Sequence, residues 1–152
     1  MKRKKLNSLL SSLEKEMVLA KKRAKEARLA ANETSKTSRT SWSAAGERDY
    51  SQGQADVLSD YYEKVKSVRE KVEVAVDMSV PKSIDAPSFI KLYLNGEEKE
   101  FYLLTEPINL EKFNLITSNS PLGEAILGKE AGEKFEFATG NTFVKGVVLS
   151  VE

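Results

Sequence analysis

Residues 6–31 read LNSLLSSLEKEMVLAKKRAKEARLAA. Within them Leu6, Leu10, Leu13, Met17, Ala20, Ala24, Ala27 and Ala31 recur at alternating steps of four and three. Such a stripe stays on one side of an α-helix and faces a single partner helix along its whole length. Gln54, Leu58, Tyr61, Val65, Val68, Val72 and Ala75 repeat the pattern after a break, so the partner is expected in the same chain, as the second arm of an antiparallel coiled-coil hairpin. At about 1.5 Å per residue the first stripe alone reaches roughly 38 Å, more than a small core requires. Leucine and methionine at the base give way to alanine toward the far end, which predicts a narrower tip, with close approach opposite Gly53.

The pattern predicts helices over 4–32 and 45–76, neither interrupted by proline. Between them residues 34–43, TSKTSRTSWS, hold seven Ser/Thr, whose side chains compete with helical backbone hydrogen bonds and favour a reversal. The hairpin is thus assigned to residues 1–78. Residues 79–87, SVPKSIDAP, carry two prolines and read as a linker.

A second domain is expected over 88–152. Phe89–Leu94 and Glu100–Leu104 are β-rich runs around Asn95-Gly96-Glu97-Glu98, a hairpin signal. Ser120-Pro121 reads as a helix cap followed by proline at the first helical position, and Gly128 as the stop. Leu122, Ile126 and Leu127 are expected to face the sheet. Glu133–Ala138 and Thr142–Val151 read as two further strands around Thr139-Gly140-Asn141. The fold class is α+β, a helical hairpin followed by a small antiparallel sheet with one short helix.

Composition narrows the chemistry. The 152 residues are 40% apolar and 31% charged, with neither cysteine nor histidine, so thiol nucleophiles, imidazole bases and Cys/His zinc sites are excluded. No run approaches the roughly 20 apolar residues that span a bilayer, and the basic start Met1-Lys-Arg-Lys-Lys leads into an amphipathic helix, not a signal-peptide core. A cytoplasmic protein without a membrane partner is expected. The net charge of +1 conceals a gradient: residues 1–40 carry 12 Lys/Arg against 4 acids, and 79–152 carry 7 against 11. One reading matches the basic first helix to the acidic second across the hairpin, and another assigns it to a nucleic-acid or acidic-protein contact.

The segment Ile116-Thr-Ser-Asn-Ser-Pro-Leu-Gly-Glu-Ala-Ile-Leu-Gly-Lys-Glu-Ala-Gly-Glu-Lys-Phe-Glu-Phe137 resembles the C-terminal signature of the Gre-type transcript-cleavage and elongation factors of bacteria. The tip stretches Ala30-Ala-Asn-Glu-Thr-Ser-Lys and Ser43-Ala-Ala-Gly-Glu-Arg-Asp-Tyr50 look more like the small, divergent members. The resemblance implies a coiled-coil hairpin followed by an FKBP-like domain. It implies RNA polymerase core as partner, with the C-terminal domain docking through Ser120, Pro121, Leu122, Gly123, Gly128 and Lys129 and the hairpin directed toward the secondary channel. No cofactor of its own, no sequence-specific DNA binding and a monomeric state are expected. Prolyl isomerase activity is not: Phe89, Tyr93, Phe101, Tyr102, Phe113, Phe135, Phe137 and Phe143 alternate with polar residues as core-filling strand residues do.

The tip departs from the family. In Gre-type cleavage factors two carboxylates three residues apart, shortly before a tyrosine, help hold the second catalytic Mg²⁺ of the polymerase, which activates water and offsets charge in phosphodiester hydrolysis. Placing Tyr50 on that tyrosine puts Ser43 and Gly46 at the acid positions. Glu47 and Asp49 are the nearest substitutes, but an i, i+2 pair on a helix diverges by about 200°. Trp42 reads either as a plug over the alanine-lined end or as an aromatic anchor for a partner, so the tip set is Trp42, Ser43, Gly46, Glu47, Asp49 and Tyr50. The expected function is regulation of elongation without catalysis of its own. The alternatives are a cleavage factor working through Glu47 and Asp49, and a chaperone or adaptor gripping clients with the hairpin. An apolar groove along the hairpin would favour the last, a closed seam and polar exterior the first two.

Overall fold

The computed structural model describes residues 3–37 and 42–152, apart from the side chains of 34–37 and 42–45. Two long helices, α1 (Lys4–Thr37) and α2 (Trp42–Val76), form the hairpin, and five strands with one short helix follow. Both helices extend beyond the expected limits, so Thr34–Thr37 and Trp42–Ala44 are helical where a reversal was read. Helix continuation wins over the local preference of Ser and Thr because each further residue adds a backbone hydrogen bond to an existing helix. The rest of the expected reversal, residues 38–41, lies outside the described residues.

Among the described residues the seam is buried or half-buried from Leu6 to Ala31. Leu6, Leu13, Ala20 and Ala31 of α1 and Ala55, Val65, Val68 and Val72 of α2 are buried. Two positions differ from the periodic reading. Gln54 is exposed and Ala55 takes its place, since the seam has no partners to offer a buried amide. At the base Leu9 is fully buried and Leu10 only half so, because the sheet covers the root of the hairpin from a second side. Gly53 is exposed, and a Cβ there would meet nothing within 4 Å, so it is not the point of close approach.

The sheet contains β1 (Ser88–Leu94), β2 (Glu97–Leu104), β3 (Leu115–Thr117), β4 (Lys134–Thr139) and β5 (Thr142–Val151), in the order β3-β2-β1-β5-β4. Asn95-Gly96 alone forms the first turn, with Leu94 paired to Glu97. The sheet is antiparallel except for β3, which the sequence reading missed and which runs parallel to β2. With three residues, β3 is too short to show alternation. The helix α3 (Pro121–Ile126) lies between β3 and β4 in the chain.

The two faces of β1 and β2 enter two cores. Phe89, Tyr102 and Leu104 join Ile108 and the hairpin base, Leu6, Leu9, Leu13, Val65, Val68, Val72, Ala75 and Val76. Ile90, Leu92, Leu94, Phe101 and Leu103 join Ile126, Phe135, Val148 and Ile84 on the other side. Coverage on both faces explains why Phe101-Tyr102-Leu103-Leu104 are buried without alternation. Two of the expected core aromatics are not in a core: Phe143 is 73% exposed and Tyr93 47%. Phe143 lies near the start of β5, and Tyr93 lies near the end of β1, opposite Val147 of β5.

Candidate functional site

The signature segment builds a rigid corner beside the end of β3. Ser120 is the helix cap, in extended conformation, its Oγ accepting the Gly123 N–H at 3.1 Å. The same hydroxyl donates to the Thr117 carbonyl at 2.7 Å, and the Ser120 N–H donates to that carbonyl at 3.1 Å. Pro121 follows where a helix needs no N–H donor. Gly123 lies so close to Thr117 that a Cβ would stand 1.9 Å from its carbonyl oxygen. The helix ends at Ile126, and past the C-cap Leu127 the chain turns at Gly128, whose φ of +80° an L side chain rarely adopts.

A third strand of backbone locks this corner. Gly128 N–H donates to the Ile84 carbonyl and Ile84 N–H to the Lys129 carbonyl, both at 2.8 Å, and Ser83 bridges to Glu130. Ile84, within the segment read as a linker, is 1% exposed. Its large apolar side chain between two prolines is the signal that could have revealed this docking.

The six expected docking residues divide accordingly. Ser120 and Gly123 serve the corner internally, Leu122 is half-buried against the second core, Pro121 and Gly128 are exposed and Lys129 is half-buried. Leu127 does not face the sheet as expected. It is the C-cap and 45% exposed, because the helix ends after Ile126 and turns the next residue outward. Lys129 also borders a cleft of about 710 Å³ over Phe135 and Val147, with Lys134 and Lys145 on its rim.

At the other end, Gly46, Glu47, Asp49 and Tyr50 all lie on α2 and are exposed, with Arg48 half-buried. Since α2 begins at Trp42, Glu47 and Asp49 point to different sides by about 200°. A Cβ at Gly46 would meet nothing within 4 Å. Trp42 and Ser43 open the helix, but their side chains lie outside the described residues. Among the described residues no group of three or more His, Cys, Asp or Glu could hold a metal ion, and no helix is long and apolar enough to cross a membrane.

Sequence reasoning did not anticipate the joint between hairpin and sheet. Arg3, only 8% exposed, donates its backbone N–H to the Val76 carbonyl at 3.1 Å and Nη2 to the Glu152 carbonyl at 2.6 Å. Burial lowers the pKa of its guanidinium from the ordinary value, and its Nε has no hydrogen-bond partner. Higher up, Tyr61 Oη donates to Glu16 at 3.0 Å and accepts the Asn109 N–H at 3.1 Å, tying both helices to the loop after β2. Burial, foremost, raises the Tyr61 pKa.

No protein-family model matches the chain, nor does any curated protein. Several solved structures are similar to it. Gfh1 of Thermus aquaticus is 20% identical, with 93% of this chain and 92% of that one covered and a TM-score of 0.41. GreA factor homolog 1 (Gfh1) of Thermus thermophilus is 17% identical over 94% of each chain, with a TM-score of 0.40. The prokaryotic transcription elongation factor GreA/GreB from Nitrosomonas europaea is 18% identical, covering 55% of this chain and 78% of that one, with a TM-score of 0.39.

Proposed function

We propose that this chain is a Gre-like regulator of transcription elongation: its C-terminal domain binds RNA polymerase core, and its hairpin is directed toward the secondary channel without stimulating cleavage. The observation that carries this reading is the form of the hairpin. Its seam is buried or half-buried from Leu6 to Ala31, and among the described residues no part of α1 beyond Met17 or of α2 before Tyr61 belongs to the core shared with the sheet. A helix of 34 residues is about 51 Å long, so most of that length is left to project. The pairing of the two helices takes Leu6, Leu13, Ala20 and Ala31 away from clients, which weighs against a chaperone or adaptor. The resemblance of residues 116–137 to the Gre-type signature adds the polymerase as partner, and within that segment the close approach to Thr117 requires glycine at position 123.

The absence of cleavage stimulation follows from the tip chemistry. Gly46 supplies no carboxylate, and Glu47 and Asp49 diverge on α2, so neither set offers two acids to one Mg²⁺. The protein is then not an enzyme, and its effect comes from occupying space that nucleotides or other channel-binding factors would use. The test is retention of the full chain by polymerase core, repeated in competition with a known secondary-channel binder, together with cleavage of RNA in a backtracked complex. Expected are binding, loss of binding under competition and no acceleration of cleavage. Cleavage by the unmodified protein that Glu47→Ala or Asp49→Ala abolishes would overturn the second half of the reading, and absence of polymerase binding the first.

A further inference from the structure

The basic residues of α1 do not spend themselves on α2. Among the described residues two ion pairs cross the hairpin, Arg28 with Asp56 at 2.6 Å and Arg69 with Glu14 at 3.4 Å. Lys15, Lys21, Lys22 and Lys25 join no ion pair among the described residues. Charge matching across the hairpin therefore does not account for the excess of lysine.

Where those lysines sit is ordered. Ser11, Lys15, Val18, Lys22, Lys25 and Leu29 are all exposed and recur at steps of four and three, the rhythm of the buried seam, but on the opposite side of α1. Val18 is 67% and Leu29 56% exposed. From Ser11 to Leu29 the stripe runs about 27 Å. Glu14 and Glu16 are turned to α2 through Arg69 and Tyr61, and Glu26 and Glu33 are the acids of α1 beside the stripe.

We infer that this outer stripe is a docking surface for an acidic α-helix of a protein partner lying along α1. The exposed line is straight and about 27 Å long, which suits a rod-shaped partner such as an α-helix lying along it. Charge selects an acidic one, its carboxylates meeting Lys15, Lys22 and Lys25. The aliphatic Val18 and Leu29 select protein over nucleic acid, which would reward aromatic rings for stacking instead. The partner surface belongs to polymerase if the function proposed above holds, and the inference rests on that reading for the identity of the partner only.

The test uses the full chain with three probes: polymerase core, a synthetic helical peptide with Glu and Leu in heptad spacing, and single-stranded RNA. Lys15→Glu/Lys22→Glu/Lys25→Glu should reduce affinity for peptide and polymerase about tenfold or more, and Val18→Ser/Leu29→Ser about threefold, with unchanged helix content by circular dichroism. Polymerase binding undiminished by either set overturns the inference and leaves the proposed function standing. Peptide binding that follows the stripe while polymerase is ignored supports the inference and overturns the function. Preference for RNA, lost with the lysines and indifferent to Val18 and Leu29, overturns the inference in favour of nucleic acid. Binding to none of the three overturns both.

Discussion

Phe89→Ala should weaken the hairpin and the sheet together. Phe89 is the second residue of β1 and is 2% exposed, its ring 4.9 Å from that of Tyr102 and 5.0 Å beneath Lys5 Nζ, a residue of α1. Deleting a buried Phe side chain costs about 3 to 5 kcal/mol, the higher end applying where the walls cannot collapse. Here they cannot easily do so, since one wall is the hairpin base and the other a paired strand. Against a total stability of about 5 to 15 kcal/mol this is a large share, and at about 2 to 4 °C per kcal/mol it corresponds to a fall in Tm on the order of 10 °C. Thermal unfolding followed by far-UV circular dichroism, which reads mainly α1 and α2, and by near-UV signals of the sheet tyrosines should show both transitions falling together. Phe143→Ala, at an exposed ring, should change stability by no more than about 0.5 kcal/mol. A hairpin transition left in place while the sheet signal alone falls would refute the shared core.

Gly123→Ala should destabilise the corner by more than about 1 kcal/mol and weaken polymerase binding with it, because the added Cβ collides with the Thr117 carbonyl, whereas Leu127→Ala at its exposed position should be nearly neutral for folding; denaturant midpoints for both variants check this. A fragment of residues 79–152 keeps the second core and should unfold cooperatively, but it exposes Phe89, Tyr102, Leu104 and Ile108 and should bind a hydrophobic dye that the full chain does not. Burial raises the pKa of both Tyr61 and Tyr102 above the ordinary phenol value, so their stabilising effect is complete below the unfolded value of about 10 and is lost as pH rises through the folded values; denaturant midpoints should fall in that alkaline range, less steeply in Tyr61→Phe/Tyr102→Phe. Ser43→Asp with Gly46→Glu should confer measurable cleavage in a backtracked complex, and Gly46 has open space for the longer side chain.

The hairpin, the two strand hairpins and the Ser-Pro corner were legible because each depends on local chemistry: a repeating stripe, a turn dipeptide, a cap. The one-residue shift from Gln54 to Ala55 and the exchange of emphasis between Leu9 and Leu10 were not, since they reflect what covers the helix from outside. The same holds for Leu127, which lies between the end of α3 at Ile126 and the expected stop at Gly128, and for β3, whose three residues are defined by pairing to β2. Arg3 looked like part of a solvated basic run, and only the meeting of β1 and β5 beside it makes it a joint. At the tip, the departure from the acid pair was visible in residue identities, and the early start of α2 is what spreads Glu47 and Asp49 apart.

The grading of the seam from leucine and valine at the root to alanine further out has a consequence for exchange of backbone amides with solvent. Each large side chain at the root, from Leu6 to Leu13 and from Val65 to Val76, removes several times the apolar area that Ala20, Ala24, Ala27 or Ala31 does, so local opening is resisted most strongly there. Amide protection should decline in steps along α1 from the sheet outward, with no single boundary. A hairpin held firmly at its root and more readily opened further out would, in the role proposed above, adapt to its surroundings without loosening its hold on the sheet domain.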